Sequence, residues 1–151
     1  MKIILASDHR GFQLKEELKK YLLEGGYTVA DAGATEQNPD DDYPDFAYPA
    51  ALMVMENAEN RGIFLCGSGM GMDVVANKVK GIRATVAYSQ DSTVHARTND
   101  DINVITLAAD TLSFEEAKER VTLFLTTSFN PEERYTRRLA KLATIERDTF
   151  K

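Results

Sequence analysis

The chain opens on Lys2–Ser7 (KIILAS), a short apolar run rich in β-formers that ends at Asp8-His9-Arg10-Gly11, so a strand and then a turn are expected. Over Phe12–Glu24, apolar residues fall at Phe12, Leu14, Leu18, Tyr21 and Leu22. This is close to helical spacing, and Gly25-Gly26 stops the helix. The pattern then predicts a strand at 27–31 and a loop at 33–45 holding Pro39, Pro44 and the acidic cluster Asp40, Asp41, Asp42 and Asp45. Pro49 is expected in the first turn of the next helix, running to about residue 60. A strand at 62–66 and a helix at 70–79 follow, then a strand at 82–88, a helix at 89–98 and a strand at 102–108. Ser113-Phe-Glu-Glu116 reads as a capping box for a helix reaching about residue 127. Asn130-Pro131 is expected to cap a last helix carrying Arg134, Arg137, Arg138, Lys141 and Arg147.

Strand and helix alternate about five times. Near-continuous apolar strands joined by helical crossovers predict a parallel sheet covered on both faces. The expected fold class is α/β, a Rossmann-like three-layer αβα sandwich on a five-stranded parallel sheet. Ligands of such folds bind beyond the carboxyl ends of the strands. Asp8-His9, Cys66-Gly67-Ser68 and Tyr88-Ser89 all fall at expected strand ends, so one crevice is expected to gather them.

Composition narrows the function classes. The 151 residues are read as one domain, 1–151, large enough to bury a core without a metal or disulfide staple. A net charge of −6 argues against a general nucleic-acid partner. The single Cys, with no apolar run of about 20 residues and no apolar leader at the start, points to a reducing compartment, the cytoplasm, and to no membrane partner.

The chemistry concentrates in 64–78, FLCGSGMGMDVVANK, where the only thiol stands directly before a glycine turn that opens a helix. Unpaired N–H groups at such a turn carry partial positive charge, and Gly67, Gly69 and Gly71 let a ligand approach the backbone. The result is a nest for an anion, beside which a thiol carries more thiolate near neutral pH. Cys66 also has a plain reading as a small buried hydrophobe. Neither the dinucleotide fingerprint GxGxxG nor a P-loop Gly-Lys-Ser/Thr is present, which weakens a nucleotide-binding reading. Asp8 reads equally as a cap for the first helix and as a catalytic carboxylate. Arg134 and Arg138, four apart, share a helix face that suits a phosphate or simply solvent. The acidic cluster at 40–45 reads as solvated surface.

Taken in order, Ser7-Asp8-His9-Arg10-Gly11, Asp42-Tyr43-Pro44, Cys66-Gly67-Ser68-Gly69-Met70-Gly71, Ala76-Asn77-Lys78, Gly81-Ile82-Arg83-Ala84, Asn103-Val104, and Arg134 with Arg138 resemble the ribose-5-phosphate isomerase B and galactose-6-phosphate isomerase family, over residues 2–146. The resemblance implies an aldose–ketose isomerase of a phosphorylated sugar, with no cofactor or metal. It further implies a homodimer or tetramer whose active sites are shared, with the C-terminal helix reaching a partner subunit. It casts Cys66 as the base that takes the proton beside the carbonyl and Ser68 as the hydroxyl that moves a proton between oxygens. The amides of Gly67, Gly69, Met70 and Gly71 hold the enediolate, and Asp8 and Tyr43 contact the sugar. His9 binds phosphate together with Arg134 and Arg138 from the other chain. Such a reaction needs a tuned base and fixed dipoles where charge develops, and this stretch supplies both.

The chain departs from the family pattern before the fifth strand. Asn99 stands where the resemblance expects a ring-opening histidine, Asp100 where it expects an asparagine, and Asp110 near the place of an arginine. His95, one helical turn earlier, either substitutes or is a plain helix residue, and the second reading is preferred. Asp100 is expected to act as a general acid if burial keeps it protonated. These departures leave the sugar open. An open-chain, hexose or non-phosphorylated sugar and a non-catalytic sugar-phosphate-binding subunit are the alternatives.

Overall fold

The computed structural model describes residues 1–150. Five strands alternate with six helices: β1 Lys2–Ser7, α1 Phe12–Glu24, β2 Thr28–Asp31, α2 Tyr43–Met55, β3 Arg61–Cys66, α3 Met70–Ala76, β4 Ala84–Val86, α4 Gln90–Asp100, β5 Val104–Ala108, α5 Phe114–Thr126 and α6 Glu133–Thr149. All strand pairs are parallel, in the order β2-β1-β3-β5-β4. The expected Rossmann-like α/β sheet with helices on both faces is therefore found. No helix among the described residues is long and apolar enough to cross a membrane.

The sheet is buried on both faces because its central strands are apolar at nearly every inner position, with Ser7 and Thr106 as buried polar exceptions. Ile3, Leu5, Ile63, Leu65, Ile105 and Leu107 point into one layer, beneath Leu14, Leu18 and Leu22 of α1 and Ala117, Val121 and Phe124 of α5. Ile4, Ala6, Phe64, Cys66 and Val104 point into the other, beneath Ala47, Ala50, Ala51 and Val54 of α2 and Met72 and Ala76 of α3. Each fully buried large side chain contributes about 1.5–3 kcal/mol by leaving water.

Several boundaries differ from expectation. Helix α2 starts at Tyr43 with Pro44 in its first turn, and Pro49 lies inside it. Strand β4 is only three residues long, and α4 extends through Asn99 and Asp100. The capping box Ser113–Glu116 forms as expected, with both reciprocal bonds made. Asn130 does not cap α6: its backbone N–H donates to the Thr98 carbonyl at 2.9 Å, and its side chain donates to Glu132. Glu132 is the N-cap instead, without a side-chain bond.

Strand order also fixes where a ligand can enter. The chain leaves β1 toward β2 on one side and later toward β3 on the other, so the carboxyl ends of β1 and β3 flank a switch point. The turn after β1 lies against the end of β3. A Cβ at Gly11 would lie 2.7 Å from the Leu65 Cβ and carbonyl oxygen. Tyr88 is not part of this crevice: β5 lies between β4 and β3, and Tyr88 is exposed at the sheet edge while Ser89 caps α4.

Candidate active site

Cys66 is the last residue of β3, paired in register with Ala108, and the chain then turns through Gly67-Ser68-Gly69 into α3. Gly69 is the N-cap, at φ 75°, a left-handed conformation that costs a side-chain-bearing residue about 1–2 kcal/mol. Its backbone also lies against Leu107, where a Cβ would come within 3.1 Å of the carbonyl carbon. The Ser68 hydroxyl accepts from the Met70 N–H at 3.3 Å, and Ser68 and Met70 are both exposed. The side chain of Cys66 is 5% exposed and packs in the apolar layer with Ala6, Phe64 and Met72.

The other predicted residues of this pole close around the loop. The Tyr43 ring lies over Gly71, where a Cβ would meet it at 2.9 Å. Asp8 is buried, and its Oδ1 accepts from the N–H groups of Arg10 and Gly11, both at 3.0 Å, which closes the turn between β1 and α1. The N-cap of α1 is Gly11, without a side-chain bond, so Asp8 braces the turn that leads into the helix rather than capping the helix itself. Burial pushes the Asp73 carboxyl, in the first turn of α3, above the usual carboxylate range.

Two carboxylates hold the residues that follow Asp8. His9 donates to Asp41 Oδ1 twice, from its backbone N–H at 3.0 Å and from Nδ1 at 2.6 Å. Asp41 is therefore not the solvated residue its acidic run suggested: its side chain is 10% exposed. Its role was hidden because the partner is 32 residues away, and only the spacing-blind fold brings them together. Arg10 pairs with Asp110 across the glycine turn, with Nε donating to Oδ1 at 3.3 Å. A Cβ at Gly67 would lie 2.5 Å from Arg10 Nε and 2.8 Å from Asp110 Oδ2, so this glycine makes room for the pair. The Asp110 N–H also donates to the Gly67 carbonyl at 3.0 Å.

The remaining predicted residues lie at the opposite pole. Asn99 and Asp100 are in the last turn of α4, before the start of β5, whereas Cys66 is level with the end of β5. At about 3.3 Å per residue the length of β5 alone separates these levels by about 13 Å. Within one chain they cannot meet. Asn99 Nδ2 instead contacts the His95 ring at 3.0 Å, one helical turn back, and Asp100 is exposed. The α4 terminus is held by Asp101, in the left-handed region at φ 46°, whose carboxylate accepts from Arg97 and Arg83, each at 2.8 Å.

Arg134 and Arg138 sit beside this second cluster. The backbone of 127–130 is tied to α4 by Arg97 and Thr98. Both guanidiniums stack on Tyr135, at 4.7 and 5.9 Å from its ring centre. Arg138 and Asp100 line one groove of about 560 Å³ with Leu139, Leu142 and Ile145. Tyr135 is the only buried residue of the 17-residue α6, which leaves Leu142 and Ile145 exposed. The predicted site residues thus fall into two separate clusters, one around Cys66 and one around Asp100 and the arginines.

A family model described as Ribose/Galactose Isomerase matches residues 3–142. A probable ribose-5-phosphate isomerase B of Mycoplasma pneumoniae is 38% identical, with 97% of this chain and 95% of the relative covered. The ribose-5-phosphate isomerase B of Mycobacterium tuberculosis is 35% identical, with 97% and 91% covered. Among solved structures, ribose-5-phosphate isomerase B from Mycoplasma genitalium with bound ribulose-5-phosphate superposes with a TM-score of 0.93 at 36% identity, covering 98% of this chain and 97% of that one. The Thermotoga maritima ribose 5-phosphate isomerase gives 0.89 at 38% identity, covering 95% and 97%. On these matches the chain belongs to the ribose/galactose isomerase family.

Proposed function

We propose that this protein is a sugar-phosphate aldose–ketose isomerase of the ribose-5-phosphate isomerase B type, acting on ribose 5-phosphate or a close relative without a cofactor. Cys66 is the base. Its thiolate removes the proton from the carbon beside the carbonyl, and the electron pair moves to oxygen to give a cis-enediolate. The thiol then returns the proton to the neighbouring carbon. Ser68 carries a proton between the two oxygens, and the amides of 67–71 hold the negative charge. Loss of one such donor typically lowers the rate on the order of 10²–10³-fold. Near-complete burial suits Cys66 to this task, because water competes poorly for the proton in a closed site. Tyr43 and Asp8 form the wall against which the sugar rests, and His9 faces its phosphate.

The single observation that carries this reading is the grouping of Cys66, Ser68, Tyr43, Asp8 and His9 at the carboxyl ends of β1 and β3, at the switch point. The separation of Arg134, Arg138, Asn99 and Asp100 from that group supports the second part of the reading. The protein works as a homodimer in which the arginine cluster of one copy completes the thiol cluster of the other. The exposed apolar residues of α6 are what a second copy covers.

Complementation tests this arrangement. Cys66→Ala and Arg138→Ala are each expected to be inactive or nearly so on ribose 5-phosphate. Co-expressed, they form hybrids with one intact site. Half of randomly mixed dimers are hybrids, so about a quarter of wild-type activity returns. A mixture no more active than its parts sinks the shared site.

A further inference from the structure

We propose that Asp41 is a positioning residue for His9, fixing which imidazole nitrogen meets the substrate's phosphate; this rests on the reading above that His9 faces that phosphate. An ionised carboxylate only accepts hydrogen bonds, so the 2.6 Å contact places a proton on His9 Nδ1. That leaves Nε2 as the free nitrogen. In its protonated form the ring then donates from Nε2 to a phosphate oxygen while Asp41 balances the charge behind it, as carboxylates do for metal-binding histidines. The backbone bond from His9 N–H to the same Oδ1, at 3.0 Å, fixes the start of the side chain as well as its ring.

The loop that brings Asp41 here is built rather than loose. The Asp41 N–H donates to the Asn38 carbonyl at 3.1 Å, and the Asp40 N–H donates to Asn38 Oδ1, also at 3.1 Å. The second oxygen of Asp41 is buried with no protein partner. A carboxylate chosen only to close the loop would leave no such oxygen, since an unpaired buried acceptor is costly. The ring it serves stays partly open, at 27% side-chain exposure, as a group awaiting a ligand must.

The test combines a spectroscopic readout with kinetics. The protein has two histidines, so imidazole ¹⁵N spectra hold two ring systems, and His95→Gln assigns them. In the wild type the neutral His9 ring is expected as the Nδ1–H tautomer. In Asp41→Ala it shifts to the Nε2–H form preferred by an unconstrained histidine side chain, and KM for ribose 5-phosphate rises about tenfold or more while kcat changes less than about threefold. Asp41→Asn keeps an acceptor for both bonds but removes the charge, so it retains the tautomer and still raises KM. This variant carries the test if the alanine variant fails to fold. An unchanged tautomer in Asp41→Ala, or an unchanged KM in both variants while His9→Gln raises KM, overturns the proposal. An unchanged KM in His9→Gln overturns the reading of His9 itself, and the proposal with it.

Discussion

Gly67 and Gly69 are two residues apart in the same turn, yet replacing each with alanine is expected to act by different physics. At Gly69 the backbone is left-handed, at φ 75°, and the neighbours of a new Cβ are the backbone atoms of Leu107 and Ala108, at 3.1–3.3 Å. Backbone in the sheet cannot give way. The conformation alone costs about 1–2 kcal/mol. In a domain of this size each kcal/mol lowers Tm by about 2–4 °C, so Gly69→Ala is expected to lose about 2–8 °C, with more from the contact. At Gly67 the neighbours are the ends of two flexible side chains, Arg10 at 2.5 Å and Asp110 at 2.8 Å. They can swing away. The ion pair they form is more than a third exposed, and such pairs are worth about 0–1 kcal/mol, so Gly67→Ala should lower Tm by no more than about 4 °C. Both substitutions disturb the amides proposed above to hold the enediolate, and both should lower kcat by about 10²-fold or more. Thermal denaturation followed by circular dichroism, alongside a coupled isomerase assay, reads both quantities. A Gly67→Ala variant that loses well over about 4 °C, or a fully active Gly69→Ala, refutes this account of the turn.

Further expectations follow from the buried charge at the other edge. Lys15 is 1% exposed and donates to Asp31 Oδ2 at 2.6 Å and to the Ala34 carbonyl at 3.0 Å. Asp31→Ala strands that ammonium with only Glu16 and one carbonyl, and should cost about 3–5 kcal/mol in urea unfolding; Lys15→Met combined with Asp31→Ala should recover much of it. Burial raises the Asp31 carboxyl, but the bonds from Lys15 and Lys19 outweigh it and leave the group below the usual carboxylate range. Its stabilising effect is therefore complete above about pH 4 and fades as pH falls through the lowered folded value, so Asp31→Asn should flatten the loss of stability with acid below about pH 4. Arg134→Ala should raise KM for a phosphorylated sugar and barely affect a neutral one, measured by steady-state kinetics on both.

Much of the fold was legible because short-range signals agree with the tertiary structure. The bounds of β1 and α1 coincide with the expected ones, since Ile3–Ala6 is an unbroken apolar run between Lys2 and Ser7 and Gly25 ends a clean helical stripe. The thiol and its glycines were legible for the same reason, as a strand end and a helix start with three residues between them. Helix α2 was misplaced because two prolines compete for its first turn. Pro44 occupies it, and Pro49 is carried within the helix, where Ala47, Ala50, Ala51 and Val54 bury the face against the sheet. Lys15 sits where the helical pattern reads polar, and its burial depends on Asp31 and Ala34, brought near only by β2 pairing. Asp41 and Asp110 were hidden alike: each meets its partner, His9 or Arg10, across 32 or 100 residues. The separation of the predicted site residues into two clusters follows from strand direction, which puts 99–100 before β5 and Cys66 beside its end.

The central claim is that the Cys66 sulfur takes the proton from the sugar carbon. It is tested most directly by incubating ribose 5-phosphate with the protein in deuterated water and following deuterium at the carbon beside the carbonyl by NMR. The account predicts that the wild type incorporates deuterium and that folded Cys66→Ala loses both exchange and turnover by about 10²–10⁴-fold. Exchange at the wild-type rate in folded Cys66→Ala contradicts it.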